Sequence, residues 1–313
     1  MRTEVPRYSV IIPVYKSADI VGDTIDQTVA FFEKHNLNYE LILVNDGSPD
    51  QSWAVLRDKA AANPHVVAIN FLRNYGQHTA IFCGLQHSTG DYAITMDDDL
   101  QNPPEEIIHL IHKGGEGYDL VFGQFRSKQH ASYRRVGTRI IGAINIRVFH
   151  KPDDLVLSNF RLIRRDVVDR ICNYQTGYPY IPGLALMFAA NPANVMVEHQ
   201  PRPVGKSNYN WFKITELVMR ILFNYSSYPL RLVSLIGGGI AALSLLLGVY
   251  FLIKALFVGT SVQGWASVVV LLSFFNGIVI LILSMLGEYT IRLLQQTSQA
   301  NSYHIKEIVR SDG

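Results

Sequence analysis

Asp97, Asp98 and Asp99 stand together in the stretch Thr95-Met-Asp-Asp-Asp-Leu-Gln-Asn-Pro-Pro-Glu-Glu106. Three adjacent carboxylates repel one another and need a counter-charge, which a hard divalent cation supplies through oxygen ligands. Asp97 and Asp99 are two residues apart and share a direction if extended geometry continues past the preceding segment, and Gln101 adds a neutral oxygen at the same spacing. Binding of a divalent cation is therefore the candidate chemistry. A lone Asp-x-Asp also reads as a solvated acidic loop, so position decides between the two.

The elements around the aspartates supply that position. Asp91-Tyr-Ala-Ile-Thr-Met96 is a short apolar run that reads as a buried strand ending at the carboxylates. Pro104-Glu-Glu106 suits a first helical turn, with proline early and acids at the positive end. Upstream, Tyr8 to Tyr15, Glu40 to Asn45 and Val66 to Leu72 read as strands, and Asp119 to Gly123 as a fifth. Helices are expected between them, with Ile20, Val21, Ile25, Val29 and Phe32 at amphipathic spacing, then over 52–62 and 79–87. Alternation with short links predicts a doubly wound α/β domain, in which ligands sit at the carboxyl ends of the strands. The polar turns Tyr15-Lys-Ser17, Asn45-Asp-Gly-Ser48 and Arg73-Asn-Tyr-Gly-Gln77 fall at those same ends as the aspartates. No Gly-x-Gly-x-x-Gly follows the first strand and no phosphate loop has its required spacing, which argues against a dinucleotide dehydrogenase or a P-loop NTPase.

Nearly half of the 313 residues are apolar, and the excess lies toward the C-terminus. Residues 232–257 and 265–285 are each long enough to span a bilayer, with Lys254 able to snorkel and Trp265 suited to an interface. Gly237-Gly-Gly239 can either permit close helix packing or loosen the first span. The preceding run from Tyr209 to Tyr225 mixes aromatic and aliphatic residues with Lys213 and Arg220, as in a helix lying on a membrane surface. The link Val258-Gly-Thr-Ser-Val-Gln-Gly264 has no basic residue, whereas Arg231 precedes the pair and Arg292, Lys306 and Arg310 follow it. The positive-inside rule then puts both termini in the cytosol. The first residues lack the apolar core of a signal peptide, and the polar tail from Gln295 is expected to be partly helical. Arg126, Lys128, Arg134, Arg135, Arg139 and Arg147 form a basic segment, either a solvated helix face or a surface for headgroups or phosphate, and Asn159 to Arg165 continues it. Cys83 and Cys172 are isolated, so neither zinc nor a disulfide framework is indicated. A net charge of +2 points to no class of partner.

Together these motifs resemble the polyprenyl-phosphate glycosyltransferases of glycosyltransferase family 2, which include dolichol-phosphate mannose synthase, bactoprenol glucosyltransferases and undecaprenyl-phosphate formamidoarabinose transferases. Asp97-Asp-Asp-Leu-Gln-Asn-Pro-Pro-Glu105 is the most specific part, and Arg73-Asn-Tyr-Gly-Gln-His78 is similar to the bacterial undecaprenyl branch. The resemblance implies a Rossmann-like nucleotide-diphospho-sugar transferase (GT-A) domain over 1–207. Juxtamembrane amphipathic helices over 208–230, a transmembrane hairpin over 231–290 and a cytosolic tail over 291–313 would complete the chain. It implies Mg²⁺ or Mn²⁺ held by Asp97, Asp99 and Gln101 at the donor diphosphate, with Asp99 also counted as catalytic. Pro13, Tyr15 and Asp46 would lie near the nucleobase and ribose, with Arg73, Asn74, Gly76, Gln77 and Asp98 completing the donor site. Arg126, Arg134 and Arg202 would grip phosphates, and Lys206 would serve the acceptor phosphate.

The implied partners are a nucleotide sugar, favouring a UDP-sugar, a polyprenyl (undecaprenyl) phosphate, the lipid bilayer and further copies of the chain as a tetramer, with no nucleic acid. The implied location is the inner (plasma) membrane, multi-pass. Three positions depart from the family pattern: Lys16-Ser17 replaces Asn-Glu, Asn45 replaces the first of two aspartates, and in Gly205-Lys-Ser-Asn-Tyr209 the lysine moves by two. The chemistry is coherent, because a polyprenyl monophosphate has its second pKa at roughly 6 and is already an ionised nucleophile. The remaining task is to stabilise the departing nucleoside diphosphate, with inversion at the sugar carbon if attack is a single displacement. A membrane-anchored sugar-nucleotide binding or scaffold protein with a degenerate site, or a polysaccharide synthase of the same superfamily, is the rival class. The second rival usually carries Gln-x-x-Arg-Trp and more spans, neither of which occurs here.

Overall fold

The computed structural model describes residues 6–125, 132–200, 211–226, 228–257, 264–297 and 303–311. Its first compact unit comprises Met1–Val218 and Ala300–Gly313, and its second Met219–Gln299. The first unit begins as the periodicity predicts: β1 (Arg7–Val14), α1 (Val21–Lys34), β2 (Asn38–Asn45), α2 (Ser52–Ala62), β3 (Val66–Phe71), α3 (Gln77–His87) and β4 (Tyr92–Thr95). A 3₁₀ turn at Pro104–Glu106 leads into α4 (Ile107–Gly115), followed by β5 (Leu120–Phe125), α5 (Ser132–Phe149), β6 (Arg161–Arg164), α6 (Arg165–Asn173), α7 (Ile181–Phe188) and β7 (Pro192–Val197). The apolar runs are strands because both faces are covered: from Tyr8 to Val14 every residue of β1 is buried. Each buried Val, Ile or Leu contributes about 1.5–3 kcal/mol, which makes the strand ends a rigid platform for the loops they carry.

The sheet order is β7-β5-β6-β4-β1-β2-β3-β8. β1, β2, β3 and β4 pair in parallel, and so do β5 and β7. β6 is antiparallel to both β4 and β5 and sits between them. The basic stretch Asn159–Arg165 therefore hides a strand, with Arg161, Leu162 and Ile163 fully buried. The tail also departs from the helical expectation. β8 (Ile305–Arg310) pairs antiparallel with β3, and Tyr303 stacks on Phe71 with ring centroids 4.9 Å apart. The edge of β3 would otherwise show unpaired backbone groups, and the tail covers it.

α8 (Trp211–Tyr225) runs from the first unit into the second, which contains α9 (Tyr228–Phe257) and α10 (Trp265–Thr297). Within α9 and α10, Ser234–Phe251 and Leu271–Ile291 are long and apolar enough to cross a bilayer. Only 12% and 6% of these windows is buried, unlike the core helices of a soluble domain. Of the three glycines, Gly237 is the packing position: a Cβ there would lie 2.3 Å from Ile280 Cγ2, whereas Gly238 and Gly239 meet nothing within 4 Å.

Candidate active site

Four loops meet at the carboxyl ends of β1 to β4. The loop after β2 is joined to the loop after β3 by Asp46, which is buried and accepts hydrogen bonds from the backbone N–H groups of Tyr75 (2.6 Å) and Gly76 (2.9 Å). Burial pushes this carboxyl up to about 6 despite those two donors. Gly47 permits the contact: its φ is +62°, and a Cβ would stand 2.4 Å from the Arg73 carbonyl carbon. Below it, the Asn45 amide donates to Asn70 Oδ1 at 2.8 Å, so the asparagine that replaces the family's aspartate bridges β2 and β3. The Arg73 guanidinium lies over the Tyr75 ring at 5.2 Å. Gly76, at φ +96°, opens α3 and delivers Gln77, whose Nε2 donates to Asp97 Oδ1 at 2.6 Å.

The aspartate loop is shared among these neighbours. Asp98 accepts from the Ser17 hydroxyl at 2.5 Å and from the Tyr15 backbone N–H at 3.4 Å, so Ser17, at a position that departs from the family pattern, fastens the β1 loop to the aspartates. Asp97 accepts from Gln77 and from Asn159 Nδ2, the latter at 3.4 Å. Burial first, and then the neighbouring aspartates, push Asp97 up to about 6; burial is also the main cause that raises Asp98 to about 6. Leu100 takes a left-handed φ of +54°, unusual for leucine, and the Gln101 N–H folds back onto Asp99 Oδ1 at 3.2 Å.

Beneath the loop lies a group that reading the sequence missed. Arg161 is fully buried in β6. Its Nε donates to Thr95 Oγ1 (3.0 Å) and its Nη2 to Asn159 Oδ1 (3.2 Å), while Asn159 in turn reaches Asp97. Burial lowers the guanidinium to about 10, so it stays charged at neutral pH and acts as a fixed counter-charge for Asp97. One arginine cannot balance three carboxylates. Among the described residues no three His, Cys, Asp or Glu side chains converge as a ready metal centre. The donor set of Asp97, Asp99 and Gln101 nevertheless fits a hard cation: it is all oxygen, and Asp97 and its neighbour Asp98 are raised by burial and by repulsion that a divalent ion would relieve.

Pro13, Tyr15, Asp46, Arg73, Asn74, Gly76, Gln77, Asp97, Asp98, Asp99 and Gln101 all lie at this end of the sheet, on β1 or on the loops that follow β1 to β4 and at the start of α3. Tyr15 is exposed there, whereas Asp46 is buried, its carboxylate turned to the Arg73–Gln77 loop. Arg134 is on α5, with its side chain outside the described set, and Arg126, Arg202 and Lys206 lie outside the described residues.

Comparison with known proteins bears on this site. The family model described as Glycosyl transferase family 2 matches residues 9–172. An undecaprenyl-phosphate 4-deoxy-4-formamido-L-arabinose transferase of Shewanella sediminis is 35% identical over 305 residues, covering 96% of this chain and 92% of that protein. The protein of the same name from Klebsiella pneumoniae subsp. pneumoniae is 34% identical over 309 residues, covering 98% and 94%. Among solved structures, glucosyl-3-phosphoglycerate synthase of Mycobacterium tuberculosis, in complex with Mn²⁺, UDP-glucose and phosphoglyceric acid, matches with TM-score 0.53 at 16% identity, over 70% of this chain and 78% of that one. Mannosyl-3-phosphoglycerate synthase from Rubrobacter xylanophilus matches with TM-score 0.50 at 16% identity, over 69% and 72%. At such identities these two likenesses speak for the shared GT-A fold alone.

Proposed function

The chain belongs to glycosyl transferase family 2, and we propose that it transfers a sugar, with inversion, from a UDP-sugar to undecaprenyl phosphate at the cytosolic face of the inner membrane. It is a glycosyltransferase. The observation that carries the acceptor is the likeness to undecaprenyl-phosphate transferases along 96% of the chain, apolar helices included. The structural neighbour holding Mn²⁺ and UDP-glucose supports the donor class and the cation.

The chain's own residues divide the work. The Asp46-held loop and the β1 loop form the floor for the nucleotide, and Asp97, Asp99 and Gln101 would hold Mg²⁺ or Mn²⁺ against the diphosphate. A cation bound there supplies Lewis acidity toward the departing nucleoside diphosphate. Arg126, Arg134, Arg202 and Lys206 are assigned to the phosphates, where arginine's planar fork matches the oxygens. In washed membranes, transfer from a UDP-sugar to added undecaprenyl phosphate should stop with EDTA and return with Mn²⁺ or Mg²⁺. Arg134→Ala should cost roughly tenfold to hundredfold in turnover at limiting acceptor, from about 1.5–3 kcal/mol per charge-assisted contact, with donor KM retained. Cation-independent transfer, or a collapse of donor binding in that variant, would contradict these assignments.

The location follows from the same reading. β8 comes after the second apolar helix and pairs with β3 of the sheet that precedes the first, which supports a hairpin with both ends on one side of the bilayer. The distribution of Arg231, Arg292 and Arg310 supports the cytosol as that side. A cysteine replacing Gly259 in the link should react with an impermeant maleimide in intact cells, and one replacing Ser311 only after permeabilisation. The reverse pattern would overturn the orientation.

A further inference from the structure

The tail strand β8 reaches past the strand it pairs with. Along β3 the two run antiparallel from Val67 opposite Arg310 to Asn70 opposite Glu307, and the register then shifts so that Phe71 faces Ile305. Pairing continues where β3 ends: the Leu72 N–H, in the loop that follows, donates to the His304 carbonyl at 2.9 Å. A chain of rings extends the contact. Tyr303 stacks on Phe71 with centroids 4.9 Å apart and planes at 24°, and Phe71 meets Tyr75 edge-on at 5.5 Å and 89°. The His304 ring lies 6.5 Å from the same Tyr75 ring. The Tyr303 hydroxyl donates to Gln86 Oε1 of α3 at 2.5 Å. The tail therefore touches the end of β3, the loop after it and the helix which that loop enters.

Resting on the nucleotide-sugar transfer proposed above, we infer that Tyr303, with His304 beside it, is a positioning residue for the donor. The pair holds the Arg73–Gln77 loop in its nucleotide-binding shape from outside, as Asp46 holds it from within. Tyr75 is where the two holds meet. Its backbone N–H donates to Asp46, and its ring meets Phe71, His304 and the Arg73 guanidinium. Leu72, Arg73 and Asn74 are exposed, so burial of their own side chains does not order this loop. Fixing its backbone costs conformational entropy, which the tail's contacts offset. A loop ordered in advance binds its ligand more tightly, because binding no longer carries that cost. The order extends to the aspartates, since Gln77 at the end of the loop donates to Asp97.

An edge cover alone needs backbone pairing along β3 and side chains such as Val309, which packs against the core. Tyr303 and His304 lie beyond that paired stretch, at the carboxyl end of β3, where the loops of the site meet.

The test uses the full-length protein in detergent, with UDP and Mn²⁺ as the probe, and compares Tyr303→Ala, Tyr303→Phe and Val309→Ala. Loss of the Tyr303 ring should weaken UDP binding roughly three- to tenfold, the size of one aromatic pair. Tyr303→Phe keeps the stack and should stay within about twofold of wild type. Val309→Ala loosens the edge without touching the loop, so it should lower the Tm and leave UDP affinity within about twofold. Amide hydrogen exchange without UDP gives a readout that needs no nucleotide: the amides of Tyr75 and Gly76 should exchange about tenfold faster in Tyr303→Ala and not in Val309→Ala. Unchanged exchange in Tyr303→Ala, or UDP affinity that falls as far in Val309→Ala, overturns the positioning role and leaves β8 as an edge cover. Faster exchange with unchanged UDP affinity overturns it too, because the loop would then be held for something other than the nucleotide. Absence of UDP binding by the wild-type protein overturns the nucleotide reading itself, and this inference with it.

Discussion

Asp99→Asn should lower sugar transfer by about a hundredfold or more while the protein still folds. A metal ligand contributes several kcal/mol to stabilising the leaving diphosphate, and about 3 kcal/mol is already more than a hundredfold in rate. The same substitution removes a like charge that helps raise Asp97 and Asp98, so the folded state should not suffer. The pH dependence gives a second readout. Both groups sit at about 6 in the folded state against an ordinary value of 3.8, so the folded state binds protons more tightly than the unfolded one. In EDTA the stability these two groups contribute should therefore be fully present below about pH 4 and be lost as pH rises through about 6. Mn²⁺ should restore stability at pH 7.5 and do little at pH 4.5, and Asp99→Asn should flatten the loss. Thermal unfolding at the two pH values, with and without cation, measures this. Turnover close to wild type at limiting cation would remove Asp99 from the ligand set.

Arg161→Met should destabilise the first unit by about 3–5 kcal/mol, the range for breaking a buried pair from one side. Methionine fills much of the volume, so the cost is electrostatic. Thr95 and Asn159 lose their donor, and Asp97 loses the charge that opposes its burial. The pairing predicts a rescue: adding Asp97→Asn to Arg161→Met should recover part of the lost stability, because the orphaned carboxylate is gone, but not activity. Arg161→Lys keeps the charge without the planar fork and should fall between the two. Chemical denaturation of the four proteins decides the matter. Strictly additive effects would show that Arg161 supports the strand and not the aspartate.

The first four strands were legible because each is an apolar run flanked by polar turns, and a sheet covered on both faces demands that pattern. The convergence of Tyr15, Asp46, Arg73 to Gln77 and Asp97 to Gln101 was legible for the same reason: in a parallel sheet, loops at equivalent strand ends meet. Several elements escaped: β6, β7 and β8 among the strands, and α6 and α7 among the helices. β6 reads as a basic segment because Arg161 and Arg164 bracket only two apolar residues, too few for any periodicity. β8, Ile-Lys-Glu-Ile-Val-Arg, carries alternating charges that suit an exposed edge and equally suit a solvated tail.

Residue types and local spacing thus determined the fold class, the aspartate loop and the apolar helices, since strand burial, carboxylate repulsion and bilayer-spanning length are all properties of contiguous sequence. Tertiary structure alone decided that Asp97 faces a buried arginine 64 residues away in sequence, through Thr95 and Asn159. It alone decided that Asp46 is turned to the Arg73–Gln77 loop, and that the tail returns past both apolar helices to close the sheet beside β3. These are pairings between distant segments, and the free energy that selects them, the cost of a buried charge or an open strand edge, exists only once the sheet has formed around them.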